Sequence, residues 1–98
     1  MKLRFTGKAL NDLESIADYI ARDNPHRAKS FVSELRIKCR ELREAPHRYP
    51  LVASSKSLSV RRRLHGPYLI FYQGDDAGVR ILRVLHGASE YEKTVFGS

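Results

Sequence analysis

The chain has 98 residues, with 18 Lys and Arg against 11 Asp and Glu for a formal charge of +7, and 42% of its residues are hydrophobic. That apolar share excludes a disordered tail, which could not bury enough surface to offset chain entropy, and points to one small basic domain over residues 1–98. No apolar stretch approaches the roughly 18–20 residues of a membrane span, and Met1-Lys2-Leu3-Arg4-Phe5 lacks the apolar centre of a signal peptide, so a cytoplasmic, membrane-free protein is expected. A lone Cys39 excludes an internal disulfide and suits a reducing compartment.

Lys2-Leu3-Arg4-Phe5 alternates polar and apolar residues, as a short strand does. Thr6 can then cap a helix whose stripe runs Ala9, Leu10, Leu13, Ile16, Ala17 and Ile20, with Asp12, Glu14, Ser15 and Asp18 toward solvent. Asp23-Asn24-Pro25 breaks that helix and starts another, Asn24 capping and Pro25 at the first helical position, where its missing N–H is no loss. The second stripe is Ala28, Phe31, Val32, Leu35, Cys39 and Leu42, and so short a link folds the pair into an antiparallel hairpin ended by Pro46. Residues 46–56 read as a loop. Leu58, Val60, Arg62 and Leu64 alternate with Ser59, Arg61 and Arg63, which predicts a strand with one mostly apolar and one basic face. Gly66-Pro67 turns into the strand Tyr68–Tyr72, and Asp75-Asp76-Ala77-Gly78 turns into Val79–His86. The expected class is therefore α+β: an N-terminal strand, a helical hairpin and a three-stranded antiparallel meander, in the order β-α-α-β-β-β.

The last two strands are apolar on both faces, while a hairpin covers only one. Met1, Leu51, Val52, Tyr91, Val95 and Phe96 could cover part of the second face; otherwise an apolar groove stays open for a partner chain. The charge is also uneven, with +1 over residues 1–35, +7 over 36–63 and −1 over 64–98. Arg61-Arg62-Arg63 inside a strand crowds like charges, which favours an acidic partner or a polyanion over mere solubility.

Catalytic motifs are sparse. There is no Gly-rich phosphate loop, and His26, His47, His65 and His86 are spaced by 21, 18 and 21 residues, so no metal site and no cofactor are expected. Cys39 lies on the buried stripe as a core thiol. The one catalytic set available is Arg61, Arg63, Arg83 and His86, with Tyr72 and Tyr91 as phenol donors: the arginines would stabilise a pentavalent phosphate while His86 moves protons, as a metal-free ribonuclease requires. Strand alternation puts Arg83 and His86 on opposite faces unless a bulge intervenes.

The segments Leu3-Arg4-Phe5-Thr6, Asp12-Leu13, Ile16-Ala17-Asp18-Tyr19-Ile20, Asn24-Pro25, Phe31-Val32, Tyr68–Tyr72 and Ile81-Leu82-Arg83-Val84-Leu85-His86-Gly87-Ala88, in this order, resemble the RelE/ParE toxins of type II toxin–antitoxin modules over nearly the whole chain. The Ile-Ala-Asp-Tyr-Ile and Arg-Val-Leu-His-Gly-Ala segments are similar to the ParE branch. RelE-like members of that family cut messenger RNA on the ribosome, and ParE-like members poison DNA gyrase by trapping cleaved DNA. RelE-like nucleases place an arginine after the tyrosine that opens the third strand; here that position is Leu69, so the resemblance implies a gyrase poison that is not itself an enzyme. The alternatives are a ribosome-dependent mRNA endoribonuclease and a non-toxic nucleic-acid-binding module, the latter disfavoured because no stacking aromatics interleave the basic run. The resemblance further implies a ParD-like antitoxin wrapping the hairpin and sheet groove. Leu13, Ile20, Leu58, Val60 and Ile70 would lie under or beside that wrap, with charge complementarity from Arg61, Arg63 and Arg83. The gyrase-facing segment is expected in the last strand and tail, including Arg83, His86, Tyr91 and Phe96.

Overall fold

A computed structural model describes residues 2–52 and 58–87. The elements are β1 (Lys2–Phe5), α1 (Gly7–Ala21), α2 (Pro25–Glu41), β2 (Arg61–His65), β3 (Tyr68–Asp75) and β4 (Gly78–His86), which is the expected β-α-α-β-β-β order. The strands form one sheet in the order β1-β4-β3-β2. β2, β3 and β4 are an antiparallel meander, and β1 runs parallel to β4 with Lys2 opposite Gly78 and Phe5 opposite Ile81.

Both helices begin where their caps dictate. The Thr6 hydroxyl accepts from the Ala9 N–H at 3.0 Å and itself donates to the Leu82 carbonyl at 2.7 Å, so the cap of α1 is also a tie to β4. Asn24 Oδ1 accepts from the Arg27 N–H at 3.0 Å, and Pro25 fills the first helical position of α2. The hairpin then lays Ala9, Leu13, Ile16, Phe31, Leu35, Cys39 and Leu42 on one sheet face, against Tyr68, Ile70, Tyr72, Val79, Ile81 and Val84. Leu10, expected on this stripe, is instead 46% exposed.

Cys39 has no exposed surface. Burial pushes its thiol up to about 12, more strongly than nearby Arg36, Arg63 and Arg40 pull it down. An unfolded thiol titrates near pH 8.5, so the unfolded state releases this proton first. Stability is therefore retained below that pH and falls above it by about 1.4 kcal/mol per unit until the native thiol ionises. Burial also raises Tyr68 and Tyr72, whose losses begin only above about pH 10. Between about pH 9 and 10 the slope belongs to the thiol, and urea midpoints of Cys39→Ala should be flat where those of the wild type decline.

The opposite sheet face carries a smaller cluster of Val52, Val60, Leu69 and Phe71, with Leu82 and Leu85 half-buried beside it. Val52 reaches the sheet because its N–H donates to the Val60 carbonyl at 2.7 Å. This is the second cover that the two-sided strands required; the expected roles of Met1, Tyr91, Val95 and Phe96 lie outside the described residues. Leu51 pairs with Arg61 but remains exposed.

Two features differ from the sequence expectation. β2 begins at Arg61 and not at Leu58, because Ser59 takes φ 55°, which a strand cannot hold. Opposite Phe71, β4 carries two residues for one: Tyr72 faces Ile81 and Phe71 faces Arg83, which marks a bulge at Leu82-Arg83. The bulge resets the alternation, so Val84 joins Val79 and Ile81 against the hairpin and His86 follows it.

Candidate functional site

The bulge determines where the candidate arginine and histidine go. Arg83 Nε and Nη2 donate to Asp12 Oδ2 and Oδ1 at 2.7 and 2.8 Å, a bidentate pair between β4 and α1. Asp12 Oδ2 also accepts the Val84 N–H at 2.9 Å. The two side chains are only 18% and 11% exposed. This corrects the expectation that Asp12 faces solvent: a partly buried guanidinium and a bulged N–H both require an acceptor, and Asp12 serves both. Asp12, above desolvation, raises the Arg83 pKa, so the guanidinium stays charged. The bulge precedes Arg83, and from there to His86 the register is unbroken: Arg83 stands opposite Phe71 of the outer cluster and His86 opposite Tyr68 on the hairpin side, so their backbone positions fall on opposite sheet faces, with the His86 ring edge-on to Tyr68 at 5.4 Å.

Arg61 and Arg63 also turn toward the hairpin side. An α-helix leaves its last four carbonyls without helical partners. In α2, those of Cys39, Arg40 and Glu41 accept from the N–H groups of Leu42, Arg43 and Glu44, and that of Lys38 accepts from Arg63 Nη1 at 2.9 Å. Arg63 also meets Glu41 Oε1 at 2.9 Å and covers the Tyr49 ring at 4.9 Å, while Arg61 Nη1 donates to the Tyr49 carbonyl at 2.7 Å. The expected free basic face is thus engaged in closing the end of α2 and fastening the loop after it. Of the anticipated partner-binding residues, Leu13 and Ile70 are buried in the hairpin-side core and Val60 in the outer cluster; Ile20 is half-buried, and Leu58 is 52% exposed. Tyr91 and Phe96 lie outside the described residues.

The hydroxyl of Tyr72 is fully buried and has no hydrogen-bond partner among the described residues; the Tyr49 backbone approaches it without bonding geometry. An unpaired buried hydroxyl costs stability, so Tyr72→Phe should unfold at equal or higher urea, by up to about 1 kcal/mol. A clear destabilisation would mean that the phenol has a polar role.

The sequence did not bring out a second polar group. Glu34 on α2 meets His65 Nε2 at 2.9 Å and Arg27 on its other side. Arg27, ahead of His65, holds the Glu34 carboxyl below the usual range. The Phe31 ring packs against His65 at 5.0 Å and Tyr68 at 5.5 Å, giving a continuous row from His65 through Tyr68 to His86 across the sheet end. The seven-residue spacing of Arg27 and Glu34, two helical turns, was the one signal available; nothing local links either to His65. Among the described residues no cluster of His, Cys, Asp and Glu could hold a metal ion, and no helix is long and apolar enough to cross a membrane.

Comparison with known proteins agrees with this architecture. Toxin RelE2 of Caulobacter vibrioides is 33% identical over 84 residues, covering 86% of this chain and 92% of that protein. A structure titled as the chromosomal ParDE TA system from P. aeruginosa is 24% identical and superposes with a TM-score of 0.71 over 88% of this chain and 95% of its own, a likeness of fold. Residues 3–91 match the profile described as the ParE toxin of the type II toxin-antitoxin system parDE. With that match spanning β1 through β4 and beyond, the chain belongs to the ParE family of type II toxins.

Proposed function

We propose that this toxin acts by binding: it inhibits DNA gyrase by stabilising the complex in which DNA is already cut, and a ParD-like antitoxin neutralises it. Membership of the family implies the antitoxin partner. The gyrase reading rests on one observation, the closed Arg83–Asp12 pair. A metal-free ribonuclease needs guanidinium groups directed at a phosphate whose charge grows in the transition state. Here Arg83 is committed to Asp12, Arg63 to the end of α2 and Arg61 to the Tyr49 carbonyl. Leu69, where RelE-like nucleases carry arginine, is 5% exposed and packs in the second cluster. A binder needs only a higher affinity for the cleaved state than for the resting enzyme.

The antitoxin covers what the fold leaves apolar. Tyr19 and Leu10 on α1, Ile37 on α2, and Leu58 and Leu64 beside and on β2 are 45–64% exposed. Burying such side chains contributes about 1.5–3 kcal/mol each.

One observation favours the nuclease reading: His86 stands beside Tyr68 at the sheet end, an imidazole and a phenol ring with centroids 5.4 Å apart. A paired assay separates the two. The purified chain should abolish gyrase supercoiling, accumulate linear DNA, and leave messages intact on translating ribosomes. Cut messages with unimpaired supercoiling would overturn the gyrase reading.

A further inference from the structure

A cavity of about 730 Å³ lies on the sheet face away from the hairpin, around β1, the start of β4 and the end of β3. Lys2, Arg4 and Arg80 line it. Leu3, Phe5, Val79 and Ile81 pack into the hairpin-side core, so alternation sends these three cations to the other face, where all are exposed. Arg4 and Arg80 are direct cross-strand neighbours. Lys2 and Arg4, two residues apart on one strand, stand about 7 Å from each other. Like charges so placed destabilise a sheet.

Arg27, Arg63 and Arg83 each meet a carboxylate. Among the described residues Lys2, Arg4 and Arg80 meet none. Asp75, on the cavity wall, is occupied, its Oδ1 accepting the Ala77 and Gly78 N–H groups at 2.8 and 3.1 Å. The wall is fixed: Gln73 Nε2 donates to the Leu58 carbonyl at 2.6 Å, and Ser59 beside it holds a left-handed φ of 55°, a conformation that costs energy in a residue other than glycine. Gly78 lets β1 close against β4, because a Cβ there would strike the Lys2 carbonyl oxygen.

We propose that this cavity grips the phosphodiester backbone of duplex nucleic acid through Lys2, Arg4 and Arg80. The proposal does not depend on which target the toxin poisons. The cationic lining matches phosphate oxygens. Among the described residues no aromatic ring lines the cavity, so these offer no platform for the unstacked bases of a single strand, whereas a duplex hides its bases and presents phosphates. Among the described residues Leu58 is the one exposed large apolar side chain on its wall, which is too little to anchor an acidic peptide.

Counterion release supplies the test. Three phosphate contacts contribute about 2.7 to the slope of log affinity against log salt on B-DNA. Fluorescence anisotropy with the full chain and a labelled 20-base-pair DNA duplex should show the slope of the K2Q/R4Q/R80Q variant reduced by that amount, so that between 50 and 200 mM salt the wild type loses about 40-fold more affinity than the variant. A scrambled duplex should bind equally. An unchanged melting temperature verifies the fold of the variant, and the R40Q/R43Q variant, altered at exposed positions away from the cavity, should keep the cavity's contribution to the slope. The proposal is overturned if the wild type fails to bind duplex at 50 mM salt, if the triple variant keeps the full slope, or if that variant loses antitoxin binding while still binding DNA, which would make the occupant an acidic protein segment.

Discussion

Asp12→Ala should cost about 3–4 kcal/mol, a large share of the roughly 5–15 kcal/mol available to a domain of this size. The carboxylate has three tasks: it accepts both bonds of the Arg83 fork and the Val84 N–H. Removing it strands a guanidinium that is 18% exposed and orphans a backbone donor at the bulge. Asp12→Asn retains an acceptor for Val84 without the charge, and should fall between Asp12→Ala and the wild type. Urea unfolding of the two variants measures both effects, and a cost below about 1 kcal/mol for Asp12→Ala would show that the pair behaves as an ordinary surface salt bridge. The distinction bears on function, since the same closed pair separates the binding reading from the nuclease reading.

Phe71→Ala should be at least as damaging, at about 3–5 kcal/mol. The ring has no exposed surface and is the largest member of the thin second cluster. Its neighbours Val60, Leu69 and Leu82 are fixed by the sheet and its flanking loop, and cannot collapse into the space left behind. The position also faces the bulge, so the vacated volume lies beside Arg83. Thermal melts should show a large fall in midpoint, and co-expression with a binding partner should restore part of it, because a ligand of the native state stabilises by mass action. A fall of under about 1 kcal/mol would mean that the outer layer contributes little.

The two helices were legible in the sequence because their information is local. A stripe of 3.6 periodicity, Thr6 and Asn24 as caps and Pro25 at the first position all operate within a few residues. The strands were legible as strands, but their sidedness was not. Arg61 and Arg63 were read as an exposed basic face because a row of arginines ordinarily seeks water; in fact they bond backbone carbonyls at the end of α2 and in the following loop, groups whose needs no linear pattern displays. Asp12 sits between solvent-facing residues in the helical pattern, and its partner is 71 positions away. The break at Ser59 shortened β2 with no glycine to announce it. The site followed the same rule: alternation put Arg83 and His86 on opposite faces unless a bulge fell between them, and the bulge precedes Arg83, a placement that no local pattern announces. Lys2, Arg4 and Arg80 drew no notice as a group because their neighbourhood is created by β1 pairing with β4.

That pairing also orders events at the ribosome. Thr6 is fastened to Leu82 across 76 residues, and among the described residues β1 has no strand beside it but β4. The helical hairpin can form from local contacts as it emerges, but its underside stays bare until the final strand is made. The first strand to be synthesised is thus among the last to find its place, since non-local pairing must await both ends. An incomplete toxin lacks the Arg4–Arg80 row, the Arg83–Asp12 clasp and the closed core together. Folding in this order leaves every surface that depends on the finished sheet unmade until β4 is in place.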